Sequence, residues 1–224
     1  MLRESKGNMY SWITYTWNPI KGQCIHNCSY CYMKKWGDLK PIRLAENEFK
    51  TNFRKLREDD TVFVGSSCDI FANDIEYDWI KRILEFCSNY YIPYYLFQTK
   101  NPARMLSFIP YFPVKSLICT TIESNRFYPE FMGTTPKPVE RSGAMNIISN
   151  YFHTYVTIEP IMDFDLQDMI ALISHCHPRQ VNIGADSGNN GLKEPQKGKI
   201  MDLISELKKF TIIDKKKNLT RLLK

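Results

Sequence analysis

Three cysteines fall within eight residues of one another, Cys24, Cys28 and Cys31, in the spacing C-x3-C-x2-C. They belong to the run Asn18-Pro19-Ile20-Lys21-Gly22-Gln23-Cys24-Ile25-His26-Asn27-Cys28-Ser29-Tyr30-Cys31-Tyr32. Asn18-Pro19 and Gly22 predict a loop there rather than a continued strand. A loop with three thiolates can wrap one face of a cubane iron–sulfur cluster. With only three protein ligands, a four-iron cluster keeps one iron open to another molecule, unlike an electron-transfer cluster held by four cysteines. Two other readings use the same residues. Cys24, His26, Cys28 and Cys31 can form a Cys3His zinc site, although His26 stands only two residues from Cys24 and Cys28, tighter than structural-zinc spacings. The third reading is three core cysteines by coincidence, which a polar loop disfavours.

The remaining cysteines, Cys68, Cys87, Cys119 and Cys176, are scattered singly. The opening Met1-Leu2-Arg3-Glu4-Ser5-Lys6 lacks the apolar stretch of a signal peptide, and no run approaches the roughly 18 apolar residues of a membrane span. The expectation is a cytoplasmic protein without membrane contact, whose clustered thiols point to metal before disulfide.

The elements that must position the loop are strands alternating with helices. Candidate strands are 13–17, 61–65, 94–99, 117–122, 154–158 and 180–183, rich in β-branched and aromatic residues. Helix candidates are 77–89, 102–108, 141–150, 166–176 and 196–210, the last with Ile200, Leu203, Ile204 and Leu207 on one face. The Pro-rich stretch 128–138 predicts a loop. Alternation implies right-handed βαβ units on a parallel sheet, and six units suit an open, partial (β/α)6 TIM-like barrel. The 224 residues, 43% hydrophobic, make one core domain over 1–210. Residues 211–224 predict a basic tail: from Glu206 onward seven Lys or Arg face only Glu206 and Asp214, most of the formal net charge of +6. Such a tail is a solvated end or a phosphate contact.

Parallel α/β barrels gather functional groups at the C-terminal strand ends. Strand two is followed by Gly65-Ser66-Ser67-Cys68-Asp69, which otherwise serves as a helix cap. Strand three ends in Thr99-Lys100-Asn101, strand four carries Thr121 and Glu123, strand five ends at Glu159, and strand six runs into Gly184-Ala185-Asp186-Ser187-Gly188. Tyr94, Tyr95, Phe127 and Tyr128 are candidate stacking platforms for a base, with core packing as their other use.

C-x3-C-x-aromatic-C, with Tyr30 in the aromatic position, resembles the signature of the radical S-adenosylmethionine (SAM) superfamily. The longer pattern Asn-Pro-x-x-Gly-x-Cys-x-His-x-Cys-x-Tyr-Cys-Tyr is similar to the branch related to spore photoproduct lyase and to small phage-type radical SAM proteins of unassigned function. The resemblance implies a [4Fe–4S] cluster on Cys24, Cys28 and Cys31. It also implies reductive cleavage of SAM to a 5′-deoxyadenosyl radical, with an external flavodoxin- or ferredoxin-like electron donor. It implies SAM contacts from Tyr30, Gly65, Ser66, Ser67, Lys100, Thr121, Glu123 and Glu159. The usual Gly-Gly-Glu after strand two is absent here. Cys68 is the candidate hydrogen donor to a product radical, although related lyases place that thiol over Ser66; a small buried hydrophobe is its other reading. A nucleobase, in nucleic acid or a nucleotide, is the expected substrate. An activase that installs a glycyl radical on a partner protein is the enzymatic alternative, and a zinc-stabilised nucleic-acid-binding module is the alternative from another class.

Overall fold

The computed structural model describes residues 1–6 and 9–224. Its ten strands are β1 (Arg3–Glu4), β2 (Tyr15–Trp17), β3 (Ile20–Lys21), β4 (Arg43–Leu44), β5 (Thr61–Val64), β6 (Tyr94–Thr99), β7 (Ser116–Thr121), β8 (His153–Ile158), β9 (Pro178–Ile183) and β10 (Ile212–Lys215). The helices are α1 (Tyr77–Ser88), α2 (Pro102–Met105), α3 (Pro129–Met132), α4 (Pro138–Ile148), α5 (Leu166–His175) and α6 (Lys197–Leu207). The main sheet has the order β1-β2-β5-β6-β7-β8-β9-β10, and β3 pairs with β4 beside it. Every pairing in the main sheet is parallel except β1 with β2. The sheet does not close: β1 and β10 are its two edges, so the barrel expected from the sequence is present in its open form.

Period-two alternation sorts side chains onto two faces. Val62, Val64, Tyr95, Phe97, Ile118, Val156, Ile158, Val181 and Ile183 pack with the helices in one large core. Phe63, Leu96, Leu117, Cys119 and Tyr155 point the other way and are capped by Tyr10 and Ile13 from the N-terminal segment. That second cluster fills one end of the concave face. A polar layer lies along the same face: Tyr10 Oη donates to Gln98 Oε1 at 2.8 Å, and Asn182 Nδ2 donates to Thr157 Oγ1 at 3.3 Å. No helix among the described residues is long and apolar enough to cross a membrane.

Two expectations need correction. The Pro-rich loop contains the short helix α3, and α4 begins at Pro138, before the expected Arg141, because proline suits the first helical position. Residues 211–224 do not trail away from the sheet. Ile212–Lys215 is a seventh parallel strand paired over four residues with β9, and Leu219 is fully buried. Two isoleucines followed by lysines carry too little apolar pattern to announce a strand, and β9 supplies the hydrogen bonds. Deleting 211–224 is therefore expected to lower the melting temperature by about 5 °C or more, since lost burial of Leu219 alone costs about 2 kcal/mol. A thermal melt of the shortened chain checks this; unchanged melting would mean a free tail.

Candidate active site at the strand ends

The cysteine loop leaves the sheet through the β3–β4 hairpin and is pinned from across the fold. Ser29 N–H donates to the Phe131 carbonyl at 2.8 Å, and Thr134 N–H to the His26 carbonyl at 3.0 Å. The Thr134 hydroxyl donates to the Ile25 carbonyl at 2.8 Å, and the Cys28 thiol to the Met132 carbonyl at 3.4 Å. Between them lies Gly133, at φ +64°, where a Cβ would fall 2.0 Å from the His26 oxygen. Only glycine allows that approach. Gly133→Ala is expected to push the loop off its seat, so that the loop thiols react several-fold faster with a thiol reagent while the circular dichroism of the sheet and helices is kept. The rate of thiol labelling is the measurement, and an unchanged rate would show that the seat is dispensable.

The loop faces a cavity of about 790 Å3 whose wall includes Cys24, Cys28, Cys31 and Tyr30. That volume is typical of small-molecule sites. Strand ends supply much of the remaining wall: Gly65, Ser66, Ser67 and Cys68 after β5, Lys100 after β6, Thr121 on β7 and Glu159 after β8. Ala185, Asp186 and Ser187 follow β9 on the same wall. Asn18 orders the first of these loops, its Oδ1 accepting from Ser67 N–H at 2.9 Å and Ser66 Oγ at 3.2 Å. Tyr32 Oη donates to the Ser66 carbonyl at 2.9 Å.

Glu123 is off this wall. Its side chain and that of Arg141 are both 0% exposed, with Arg141 Nη1 on Glu123 Oε2 at 2.8 Å. Lys100 Nζ lies 3.4 Å from Glu123 Oε1, which also accepts from Tyr30 Oη, and the same ammonium sits 5.0 Å from the centre of the Tyr30 ring. Burial would raise the Glu123 carboxyl, but Arg141 and then Lys100 outweigh it and hold it down at about 2. Burial likewise opposes the Lys100 ammonium, and the neighbouring Cys28 and Glu123 keep it protonated. Glu123 thus positions Lys100 and Tyr30 and does not itself face the cavity, in contrast to the contact expected of it.

Asp69 is a hub, not a helix cap: α1 starts only at Tyr77. Asp69 Oδ2 accepts from Thr99 Oγ1 at 3.0 Å and Lys100 N–H at 2.8 Å, and meets His26 Nε2 at 3.0 Å. It ties the ends of β5 and β6 to the cysteine loop. His26 is spent on this contact, and among the described residues no three Cys, His, Asp or Glu side chains gather closely enough to hold a metal ion. The Cys3His zinc set is therefore not assembled. A four-iron cubane is wider, taking each thiolate at a separate corner, and the three thiols on one cavity wall suit it. The Cys24 thiol is lowered to about 7, chiefly by a hydrogen bond with Cys68, so a thiolate is accessible there near neutrality. The hydrogen bond with Cys24, and then burial, keep Cys68 itself protonated.

Several wall residues were not expected. Tyr10 lines the cavity, with its hydroxyl 2.7 Å from Thr157 Oγ1. Lys216 pairs with Glu159 and stands 4.6 Å from the centre of the Tyr10 ring, while Asn218 Nδ2 donates to Glu159 Oε1 at 3.0 Å. The supposed tail thus builds one side of the site. Arg141 carried a usable signal: a cation in the first turn of a helix opposes the macrodipole, so something else must hold it. Of the expected stacking residues, Tyr94 and Tyr95 begin β6, at the opposite end of the strand from the cavity, and Tyr128 Oη donates to the Asp163 carbonyl at 3.1 Å.

An open parallel sheet with a cysteine loop at its strand ends is the architecture of the radical SAM enzymes, and the chain shares that fold. Solved structures of spore photoproduct lyase are among those it resembles. A cysteine-to-serine variant of that enzyme matches with a TM-score of 0.68 at 13% identity, over 94% of this chain and 80% of the other. The lyase complexed with dinucleoside spore photoproduct matches at 0.62 and 14%, over 92% and 66%. A double variant with bound AdoMet and dinucleoside spore photoproduct matches at 0.62 and 15%, over 91% and 64%. No protein-family model matches the sequence, and no curated protein sequence does.

Proposed function

We propose that this chain is a radical SAM enzyme that holds a [4Fe–4S] cluster on Cys24, Cys28 and Cys31, takes SAM into the adjoining cavity, and acts on a nucleobase. The observation that carries the proposal is that the three thiols and the ends of five parallel strands line one cavity. When bound, the cluster and SAM supply an electron and a 5′-deoxyadenosyl radical that takes hydrogen from the substrate. An external flavodoxin- or ferredoxin-like protein would provide the electron.

The chain's own part is binding, orientation and exclusion of water. Lys100, fixed by Glu123, presents a protonated amine suited to the SAM carboxylate. The Gly65–Ser67 loop, ordered by Asn18, offers backbone groups and hydroxyls, and Thr121 adds a hydroxyl already bonded to Gln98 Nε2 at 3.2 Å. Tyr30 braces Lys100 from the side. Glu159, held by Lys216 and Asn218, is the acceptor at the far wall, suited to hydroxyl or exocyclic amino groups. Cys68, against Cys24, is the hydrogen donor in this reading. The nucleobase assignment is supported by spore photoproduct lyase, whose solved complexes hold a dinucleoside lesion.

Anaerobic reconstitution followed by iron analysis and EPR of the reduced protein tests the proposal. About four irons per chain and a signal perturbed by SAM are expected. One zinc, no iron and no response to SAM would overturn it.

A further inference from the structure

A second cavity, of about 390 Å3, adjoins the first, and Met33, Asp38, Leu39 and Ser67 belong to the walls of both. Its wall carries Arg3, Lys21, Lys40 and Arg43. The acids there are Glu48, which is already paired with Lys21 at 2.9 Å and with the terminal amine, and Asp38. Among the described residues Arg3, Lys40 and Arg43 have no carboxylate partner, so the groove keeps unneutralised positive charge. The hairpin makes this deliberate in geometry: Lys21 and Arg43 are direct cross-strand partners in β3–β4. Glu48 answers the charge of Lys21 and leaves that of Arg43, facing it across the ladder, without a counter-charge.

We infer that this groove holds the backbone phosphates of a nucleic-acid strand whose reacting base enters the larger cavity. The base placement rests on the function proposed above; the groove adds that the substrate is a strand and not a free nucleotide. A row of unpaired Arg and Lys is the usual track for a polyanion, and counterion release supplies the affinity. An exposed aromatic favours nucleic acid over an acidic protein. Trp36 is 75% exposed on the 3₁₀ turn (Tyr32–Trp36) that also bears Met33, a wall residue of both cavities, and a base can stack on its indole.

The test is fluorescence anisotropy with a short labelled single-stranded DNA, on the reconstituted full chain, between about 50 and about 200 mM salt. The Arg3→Ala/Lys40→Ala/Arg43→Ala variant is expected to bind on the order of tenfold or more weakly at low salt. Its slope of log affinity against log salt should flatten by about two. Arg3→Lys/Arg43→Lys, which keeps the charge, should retain the slope. Iron content and the SAM-perturbed EPR signal should match the unaltered chain in both variants, so loss of strand binding is separable from loss of the cluster. Equal affinity and slope in the triple variant, or no binding by the unaltered chain, would overturn the inference. Competition by poly-glutamate as effective as by DNA would also overturn it, and would assign the groove to an acidic protein.

Discussion

Replacing Cys24, Cys28 or Cys31 singly with alanine is expected to take retained iron from about four per chain to near none, with the fold kept. In the proposed function each thiol holds a separate corner of the cluster, and the loop has no fourth cysteine to compensate. Cys68→Ala is the discriminating control. Cys68 lines the same cavity and bonds with Cys24, yet in the proposed function it donates hydrogen instead of binding iron. Its removal should preserve iron and the SAM-perturbed EPR signal while suppressing turnover of a true substrate. Loss of iron in Cys68→Ala would make it a ligand and remove the open iron on which the chemistry depends. Cys87, Cys119 and Cys176 are buried in the packed cores, so their alanine variants should cost stability and leave iron alone.

The second large effect falls on a residue that does not line the cavity. Arg141→Met is expected to destabilise the fold by about 3–5 kcal/mol, because it leaves the fully buried Glu123 carboxylate with only the more distant Lys100 as counter-charge. For a chain of this size that lowers the melting temperature by about 10 °C. The double variant Glu123→Gln/Arg141→Met removes both charges and should be the more stable of the two. The pH dependence has a definite sign. Glu123 titrates at about 2 in the folded chain against an ordinary value of 4.5. Its contribution is complete above about pH 4.5 and is lost as pH falls toward 2. The gap between the unaltered chain and Arg141→Met should therefore narrow over that window. It should not vanish, because Arg141 also donates to the Thr121 and Pro136 carbonyls and to Thr135. Denaturant melts at pH 7 and pH 3 check both statements; a gap that widens in acid would contradict the assignment of the charge.

Much of this architecture could be read from residue order. Tyr94–Thr99 and Leu166–His175 stand in the fold almost as their patterns suggest, because an aromatic-rich run and helical periodicity are local signals. That the cysteine segment is a loop was legible for another reason: Pro19 and Gly22 mark it as irregular. What escaped depends on long-range partners. β1 is two residues long and exists only against β2. β10 hides two isoleucines among lysines, and Lys216 reads as one more surface charge until Glu159 is found beside it. Asp69 looks like a cap from its neighbours in sequence, yet three of its contacts come from residues 26, 99 and 100. Glu123 reads as a cavity contact from its place at a strand end, yet it meets Arg141, since polarity there does not say whether a side chain faces a cavity or a buried arginine.

The seating of the cysteine loop also sets a timetable for synthesis. Residues 24–31 are made early, but Phe131, Met132, Gly133 and Thr134, which hold them, follow more than 100 positions later. At about 5–20 residues per second, the three thiols spend on the order of ten seconds outside the ribosome before their seat exists. During that interval they are open to oxidation and to any passing metal. In the proposed function, assembly of the cluster must then wait for the second half of the chain, and slowing translation between residues 31 and 134 should raise the share of protein carrying the wrong metal or none.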